Sequence, residues 1–286
     1  MISCARSSSK LTLMVFVGLL FSCSISIAAP SRIVSLNPCL DQILVEVADP
    51  QHIAALSHYS SDPRSSLIAE TAHRFPSTYG SAEEVTQLKP DLVLASEYSS
   101  QSTLKTLTKL HTPLALFELP NSIEISTQQV TRIAALVGHP ERGEALNRRI
   151  DAALQQAKAP SGDLPINALV YQANGFVAGK GTLIDEVMTR AGFQNQASVY
   201  GIAQWGTVHL EDILLKPPKV LFTPSIQHDA GAWSSRMIAH PILKHLPHHI
   251  MRESPFPESL LYCGGPTLIP LSLAFSQAHS REKVLP

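Results

Sequence analysis

The sequence predicts an α/β fold built from two similar lobes with parallel sheets, joined by a single long helix and separated by a ligand cleft. Short apolar runs rich in β-branched residues alternate with helical patterns in both halves of the chain, and this alternation is typical of parallel sheets covered by helices. A long helical pattern separates the two series, and a short residue pattern of the first half recurs in the second. We expect a cleft between the lobes, because ligands commonly bind at domain interfaces.

The segment 1–28 is predicted to be a signal peptide for export. Two basic residues precede an apolar run at 11–21, and small residues follow this run. The run is shorter than the about 20 residues that span a bilayer. Cleavage after Ala28 would release a periplasmic chain that starts at Ala29. The alternative is a lipoprotein signal, in which Cys23 is retained and acylated.

The N-terminal α/β lobe is assigned to residues 29–122. Its first predicted strand, 32–36, is followed by an Asn-Pro break and a helical pattern, which is the usual start of an α/β domain. The other predicted elements of this lobe are strands at 52–56, 92–95 and 114–117 and helices at 40–48 and 102–110.

Residues 123–160 are assigned to a helical connector that includes the long inter-lobe helix. The pattern is helical over 123–137 and again over 140–158, with Gly138 as a candidate C-cap between them. A helix of about 18 residues is about 27 Å long. The Ala-Pro-Ser-Gly run at 159–162 ends the second helix and marks the clearest boundary in the chain.

The C-terminal α/β lobe is assigned to residues 161–286. Strands are predicted at 168–171 and 220–222, and a helix is predicted at 183–191 with Gly192 at its end. The alternation of strands and helices seen in the first half is therefore repeated.

One acidic residue in each lobe occupies an equivalent place in this repeat. Glu83 and Glu211 each begin a short helical pattern seven residues before a proline, and a buried strand follows. Carboxylates at helix N-termini interact favourably with the helix dipole whatever their function. The functional alternative is a matched acidic pair that docks onto basic sites of a two-fold-symmetric partner.

Neither an enzyme nor a nucleic-acid-binding protein is expected. The chain has 22 Lys and Arg against 23 Asp and Glu, whereas nucleic acids are bound by clustered basic residues. Neither a Gly-x-Ser-x-Gly elbow nor a His-Glu-x-x-His zinc helix occurs in the sequence. The loop 175–182 is one residue too short for a phosphate-binding loop, and Gly181 stands where the hydroxyl residue belongs.

Aromatic residues are few, and several fall in predicted loops. These are Tyr59, Tyr79, Tyr98, Phe176, Trp205 and Trp233. Aromatic side chains at a cleft can stack on a large flat ligand, and ordinary loop packing is the alternative. We expect Tyr59, Phe176 and Trp205 to face the cleft.

The 12 histidines raise the alternative of a free metal-ion, zinc-type binding protein. His240, His245, His248 and His249 are close in sequence, but they surround two prolines and follow no helical spacing. A bare-metal site needs three or four converging ligands. We therefore predict solvated loop histidines and no metal site.

Two of the four cysteines, Cys39 and Cys263, remain after the predicted cleavage. Export would place them where a disulfide can persist. Such a bond would tie together the two ends of the mature chain. Two free buried thiols are the alternative.

The chain resembles the periplasmic binding proteins for iron complexes and cobalamin. The similarity extends from about Arg32 to Phe275. It rests on four motifs in the same order, namely 32–38 (RIVSLNP), 88–95 (LKPDLVLA), the loop 179–183 and 264–266 (GGP). The resemblance implies two Rossmann-like lobes bridged by one rigid helix, with a cleft that changes only modestly on binding.

The resemblance also implies the function of an ABC importer's substrate-binding component, which captures a bulky metal chelate in the periplasm. The chelate would be cobalamin or another corrinoid, a ferric siderophore, or haem. The protein would act as a monomer without a cofactor. It would dock onto the dimeric permease, which carries ATPase subunits, through one glutamate per lobe, at Glu83 and Glu211.

The aromatic ligand contacts follow from the same resemblance. Tyr59, Phe176 and Trp205 fall at ligand-facing aromatic positions of the cobalamin-binding members, and Tyr79 lies near another such position. The expected ligand contacts are Tyr59, Tyr79, Phe176, Trp205, Asn37 and Arg64.

Two further features bear on this assignment. Ser96 stands where cobalamin-binding members have a tryptophan, which departs from their pattern. Arg64 and Arg252 are the loop cations that could favour an anionic siderophore, and their small number favours cobalamin. The resemblance places Cys39 and Cys263 at the cleft edges of opposite lobes, where a disulfide would limit opening.

Overall fold

The computed structural model describes residues 29–224, 247 and 250–284. The predicted export signal with Cys23, the four clustered histidines and Trp233 lie outside the described residues. Within the described part, no helix is both long enough and apolar enough to cross a membrane.

Five parallel strands form the sheet of the N-terminal lobe. They are β1 (Ile33–Ser35), β2 (Ile53–Ser57), β3 (Ser77–Thr78), β4 (Leu92–Ser96) and β5 (Leu114–Phe117), in the order β3-β2-β1-β4-β5. The helices of this lobe are α1 (Pro38–Val47), α2 (Ala69–Ala72), α3 (Ala82–Gln87) and α4 (Gln101–Lys109). The chain order reverses between β1 and β4, and ligands of such sheets bind at that switch point.

Helix α1 begins at Pro38 because the chain after β1 supplies the features of a helix start. The Asn37 side chain accepts hydrogen bonds from the backbone N–H groups of Cys39 (2.9 Å) and Leu40 (3.3 Å). Pro38 occupies the first turn, where the helix needs no donor. Asn37 is therefore engaged as the helix cap.

Two helices connect the lobes, α5 (Ile123–Leu136) and α6 (Pro140–Gln156). Gly138 lies between them with a φ of 83°, in the left-handed region that favours glycine. The sequence predicts both helices, and α6 is its long inter-lobe helix. At 17 residues, α6 is about 25 Å long.

The C-terminal lobe contains a four-stranded parallel sheet and a two-stranded antiparallel sheet. Its strands are β6 (Ile166–Val170), β7 (Phe176–Ala178), β8 (Phe193–Asn195), β9 (Trp205–Thr207), β10 (Val220–Pro224) and β11 (Arg252–Phe256). Its helices are α7 (Leu183–Arg190), α8 (Leu210–Leu215) and α9 (Leu268–Val284). The parallel sheet is ordered β11-β10-β6-β8, and β7 pairs with β9 in the smaller sheet.

The expectation that Phe176 and Trp205 lie in loops is wrong, because they are the first residues of β7 and β9. Each strand is three residues long, which is too short to show an alternation of apolar and polar residues. Strand β11 is polar and contains Pro255, which an edge strand tolerates. The sequence pattern therefore does not predict β7 and β9, because they are short, or β11, because it is polar.

One hydrophobic core extends through both lobes. It includes Leu44 and Ile53 of the N-terminal lobe, Ile133 and Ile150 of the connecting helices, and Phe222 of the C-terminal lobe. Helix α9 packs on α6, and α6 packs on α5. The lobes are therefore joined by a packed group of helices in which the long helix is one member.

The chain crosses back to the N-terminal lobe before α9. The backbone N–H of Gly265 donates to the Ser126 hydroxyl of α5 at 2.6 Å, and the Thr267 hydroxyl donates to the Gln42 side chain of α1 at 2.9 Å. Gly265 has a φ of 57°, and a Cβ there would lie 2.7 Å from the Ile43 side chain. A larger residue at Gly265 would collide with Ile43. The segment 265–267 is therefore a second place, besides the connecting helices, where the lobes are held together.

Candidate ligand-binding cleft

A cavity of about 690 Å³ lies between the two lobes, within the range of about 300–1,000 Å³ that is typical of small-molecule sites. The N-terminal lobe contributes Tyr98, Leu119 and Pro120, and the C-terminal lobe contributes Gln172, Ala173, Asn174, Phe176, Leu183, Ile184, Trp205, Thr207, Leu261, Tyr262, Cys263 and Leu271. Most of these side chains are apolar or aromatic. None of these described lining residues carries a charge.

The cavity lies at the carboxyl ends of parallel strands, where this type of fold places its ligands. Tyr98 follows β4, Leu119 follows β5, and Gln172 follows β6. The loops of both lobes therefore meet across one crevice.

Phe176 and Trp205 form one flat wall of the cavity. Their rings are parallel to within 5°, with centroids 5.4 Å apart, and the side chains are 40% and 41% exposed. The ladder between β7 and β9 pairs Phe176 with Thr207 and Ala178 with Trp205. The two rings thus occupy diagonal positions on one face of the pair, and their exposed surface offers a flat ligand a place to stack.

A tight turn presents Gln172 and Asn174 to the cavity. The backbone N–H of Gly175 donates to the Gln172 carbonyl at 3.1 Å, and the Gln172 N–H donates to the Phe176 carbonyl at 2.8 Å. Asn174 and Gly175 have positive φ angles of 59° and 75°. A Cβ on Gly175 would lie 2.6 Å from the Val208 carbonyl oxygen, so the turn requires glycine at this position.

The Tyr262 hydroxyl is oriented by an acidic neighbour. It donates a hydrogen bond of 2.6 Å to Glu258 Oε1. Burial, followed by this hydrogen bond, raises the pKa of Tyr262 well above its ordinary value. Tyr262 is therefore a neutral phenol whose proton points at Glu258.

Cys39 and Cys263 form a disulfide, and so the alternative of two free thiols does not hold. Cys39 lies in the first turn of α1, and Cys263 lines the cavity. The bond joins the N-terminal lobe covalently to a wall of the cleft.

Tyr59 and Tyr79, expected to contact the ligand, do not belong to the described lining of this cavity. Both rings pack against His58, with centroids 3.9 Å and 4.4 Å from it. The two tyrosines are exposed. They follow β2 and β3, which lie on the other side of β1 from β4 and β5, and this order separates them from the cavity wall.

The two polar candidates have local partners. Asn37 caps α1, as described above. Arg64 forms a salt bridge of 2.9 Å with Asp62, and this hydrogen-bonded partner holds the pKa of Asp62 below its usual value. Arg64 also acts electrostatically on Tyr262, which places it near the edge of the cleft with its charge balanced by Asp62.

Sequence reasoning missed Tyr262 and Gln172 as cleft residues. Tyr262 directly precedes Cys263, which the resemblance places at the cleft edge, and Gln172 directly follows the strand predicted at 168–171. Adjacency to these features was the available signal. Neither residue type is distinctive in a loop, so the sequence does not separate them from exposed neighbours.

Glu83 and Glu211 are exposed and lie in the first turns of α3 and α8. The two helices are alike in their buried side as well, because Val85 and Ile213 are completely buried. Burial, and after it the charge of Glu211, raises the pKa of Tyr171 to about 12. Each lobe therefore presents an exposed glutamate at an equivalent place in a first turn that contains two acidic residues.

A buried carboxyl group holds the turn that follows β2. Asp41 Oδ2 accepts hydrogen bonds from the Ser57 backbone N–H at 2.8 Å and the Ser60 hydroxyl at 2.6 Å. Burial raises the pKa of Asp41 to about 7, although hydrogen bonds to the group act in the opposite direction. Asp41 thereby anchors the turn that carries Tyr59.

The described residues contain no group of three or more His, Cys, Asp or Glu side chains that could hold a metal ion. The four clustered histidines lie outside those residues.

The two α/β lobes and the apolar cleft between them define a two-lobed ligand-binding protein. The family model described as periplasmic binding protein matches residues 33–248, and the chain belongs to this family. The match confirms the resemblance inferred from the motifs. The family consists of binding proteins and not of enzymes, in agreement with the expectation from the sequence.

Curated relatives include a cobalamin-binding protein of Halobacterium salinarum, 25% identical over 215 residues that cover 73% of this chain and 58% of the relative. The chain thus spans less than two thirds of that relative's length. A vitamin B12-binding protein of Photorhabdus laumondii is 26% identical over 199 residues, which cover 68% of this chain and 70% of that protein.

Solved structures include the periplasmic heme-binding protein RhuT from Roseiflexus sp. RS-1. It has a TM-score of 0.67 and 24% sequence identity, and the comparison covers 87% of this chain and 99% of that one. This likeness confirms the predicted α/β fold with two sheet-containing lobes.

Proposed function

We propose that this protein is the periplasmic substrate-binding component of an ABC importer and that it captures a bulky metal chelate between its lobes. The observation that carries the proposal is the uncharged cavity of about 690 Å³ with its parallel wall of Phe176 and Trp205. Membership of the periplasmic binding protein family supports a periplasmic location and delivery to a permease.

A corrinoid such as cobalamin is the preferred chelate. Relatives in two organisms are named as cobalamin-binding or vitamin B12-binding proteins. A large flat macrocycle matches the aromatic wall, and its metal is already coordinated. The uncharged lining of the described cavity is less suited to an anionic ferric siderophore.

Haem is the second candidate, because a structural relative is named as a heme-binding protein. Haem is equally flat and would use the same wall of Phe176 and Trp205. Its two carboxylates, however, meet no cation among the described lining residues, and we therefore rank it below a corrinoid.

A free metal-ion binding protein is the disfavoured alternative. It would need three or four converging ligands, and the described residues hold no such group. Stoichiometric zinc in protein purified without chelators would restore this alternative.

Isothermal titration calorimetry tests the proposed function. The mature protein is titrated with cyanocobalamin, haem and a ferric hydroxamate siderophore. We expect saturable binding with one ligand per protein, strongest for cyanocobalamin. The absence of saturable binding for all three chelates would contradict the proposal.

Docking onto the permease is assigned to Glu83 and Glu211. The two carboxylates are exposed, one on each lobe, so a monomer can present both to a two-fold-symmetric permease dimer that carries basic groups. Complementary charges of this kind accelerate association and fix the orientation of a complex. The ATPase subunits would then drive release of the chelate into the permease.

A further inference from the structure

Few side chains of the cavity lining are polar, and the hydrogen bonds of two of these are informative. The Tyr262 hydroxyl donates to Glu258, and the Gln172 Nε2 atom has no partner among the described residues. From these we propose that the cleft selects ligands that carry carboxamide groups and that Tyr262, oriented by Glu258, is the residue that rejects carboxylates. This inference rests on the proposed function and names the ligand class of the same site.

Tyr262 is an acceptor towards the cavity. Its hydroxyl proton is directed at Glu258 Oε1, 2.6 Å away, while the side chain is 42% exposed and lines the cavity. The lone pairs of its oxygen therefore remain for a ligand. An amide N–H can donate to them, whereas an ionised carboxylate has no hydrogen to donate.

The charge that acts most strongly on Tyr262, that of Glu258, also disfavours an anion at this place. Glu258 carries a negative charge at hydrogen-bond distance. Arg64 acts on Tyr262 in the opposite direction and Asp62 in the same direction as Glu258, and these two residues are paired with each other at 2.9 Å. The remaining negative charge of Glu258 disfavours a second carboxylate at this place.

Gln172 supplies the complementary donor. This side chain lines the cavity and is 7% exposed, and its Nε2 atom is buried without a hydrogen-bond partner among the described residues. A buried amide donor normally has a partner, and we assign a ligand carbonyl to this role. The tight turn that ends at Gly175 holds Gln172 in place.

Each of the two groups suits a carboxamide of a ligand that carries several of them. Gln172 offers N–H to the ligand's carbonyl oxygen, and Tyr262 accepts from an N–H of the ligand. A carboxylate could use the donor but would face the lone pairs of Tyr262 and the charge of Glu258. The rim of a corrinoid carries carboxamides, whereas haem carries carboxylates.

The test compares cyanocobalamin with its monocarboxylates, in each of which a different rim carboxamide has been hydrolysed to a carboxylate, and the isomer that binds most weakly serves as the monocarboxylate. Affinities are measured by calorimetry at pH 7, with haem titrated in parallel. We expect the wild type to bind the intact ligand at least tenfold more tightly than the monocarboxylate. We expect Glu258→Gln to narrow this ratio severalfold by improving binding of the monocarboxylate.

Tyr262→Phe removes the acceptor. We expect this variant to bind intact cyanocobalamin about tenfold more weakly than the wild type does, with little change in its affinity for the monocarboxylate. Tyr98→Phe is the matched control, because Tyr98 also lines the cavity. It should leave the ratio between the two ligands unchanged.

Equal affinities of the wild type for both corrinoids, or an unchanged ratio in Glu258→Gln, would overturn the inference. A preference for the monocarboxylate that Arg64→Gln abolishes would also overturn it and would assign anion recognition to Arg64. Tight binding of haem without binding of either corrinoid would overturn the inference and leave the proposed function standing. Binding of no chelate would overturn both.

Discussion

Single residues of the cleft wall are expected to contribute unequally to chelate binding. Trp205 stacks in parallel with Phe176 on the wall. Replacing Trp205 with alanine removes a large part of this flat surface, and aromatic contacts contribute about 0.5–1.5 kcal/mol beyond area burial. We therefore expect Trp205→Ala to weaken chelate binding about tenfold in calorimetry.

Tyr79→Ala is the control for this prediction. Tyr79 is exposed and packs against His58 outside the described cavity wall, so its removal should leave the affinity unchanged. Equal losses in Tyr79→Ala and Trp205→Ala would contradict the placement of the ligand at the wall and support the contact expected for Tyr79 from the resemblance.

Asp41 is expected to make stability depend on pH. Burial raises the pKa of Asp41 from the usual range to about 7. Between about pH 4 and about pH 7, Asp41 is therefore protonated in the folded protein and ionised in the unfolded chain. The free energy of unfolding should therefore fall as the pH rises through this window, by up to about 1.4 kcal/mol per pH unit from this group. Urea unfolding at several pH values measures the slope.

Asp41→Asn puts a neutral group in the same place and should make the slope shallower. Asp151→Asn is the control, since Asp151 is exposed on α6, and it should keep the slope of the wild type. Parallel pH profiles for Asp41→Asn and the wild type would show that Asp41 does not titrate in this range.

The elements predicted from the sequence are those whose pattern is local. Helix α6 shows a helical stripe over its whole length, and strand β4 is a continuous apolar run, so both are found where the sequence places them. Strands β7 and β9 depend on pairing across 26 intervening residues and are too short to show a period. For this reason the sequence indicates Phe176 and Trp205 as ligand contacts, but it does not predict that their rings lie parallel in one wall.

The same distinction explains the missed contacts of Tyr262. Its place at the cavity depends on the return of the chain to the N-terminal lobe, where Gly265 meets Ser126 and Cys263 is bonded to Cys39. These contacts join residues far apart in sequence. Apart from the candidate pairing of Cys39 with Cys263, no local pattern near Tyr262 reports them.

The disulfide is expected to stabilise the connection between α1 and the cleft wall. It joins residues separated by 224 positions, and disulfides typically stabilise proteins by about 2–4 kcal/mol, more for long loops. Reductant should therefore lower the midpoint of thermal unfolding by several degrees, as measured by circular dichroism.

The double variant Cys39→Ser, Cys263→Ser should unfold at the lower midpoint with or without reductant. A wild-type midpoint that does not respond to full reduction, with both thiols then open to alkylation, would contradict this contribution.

The whole molecule combines a repeat with one continuous core. The repeated pattern around Glu83 and Glu211 predicted two lobes, which the structure has. The pattern did not reveal that one core runs through both lobes or that the chain crosses between them a second time at Gly265. A sequence repeat reports similar halves and not the contacts between them.

Transport is expected to need both exposed glutamates. In proteoliposomes that contain the permease and its ATPase, the double variant Glu83→Ala, Glu211→Ala should bind chelate with wild-type affinity but support much slower uptake, because the docking charges are lost. Each single variant should show an intermediate rate.

Glu144→Ala is the control for docking, since Glu144 is exposed on α6 and lies outside the two helices that carry the docking residues. It should leave uptake unchanged. Wild-type uptake by the double variant would remove Glu83 and Glu211 from the docking surface.

The most direct test of the cleft uses the fluorescence of Trp205. The chain has 2 tryptophans, so Trp233→Phe leaves Trp205 as the sole reporter, on the cavity wall beside Phe176. We predict that cyanocobalamin quenches this emission saturably, with an end point at one ligand per protein. Unchanged emission at ligand concentrations that saturate binding in calorimetry would contradict capture of the chelate between the lobes.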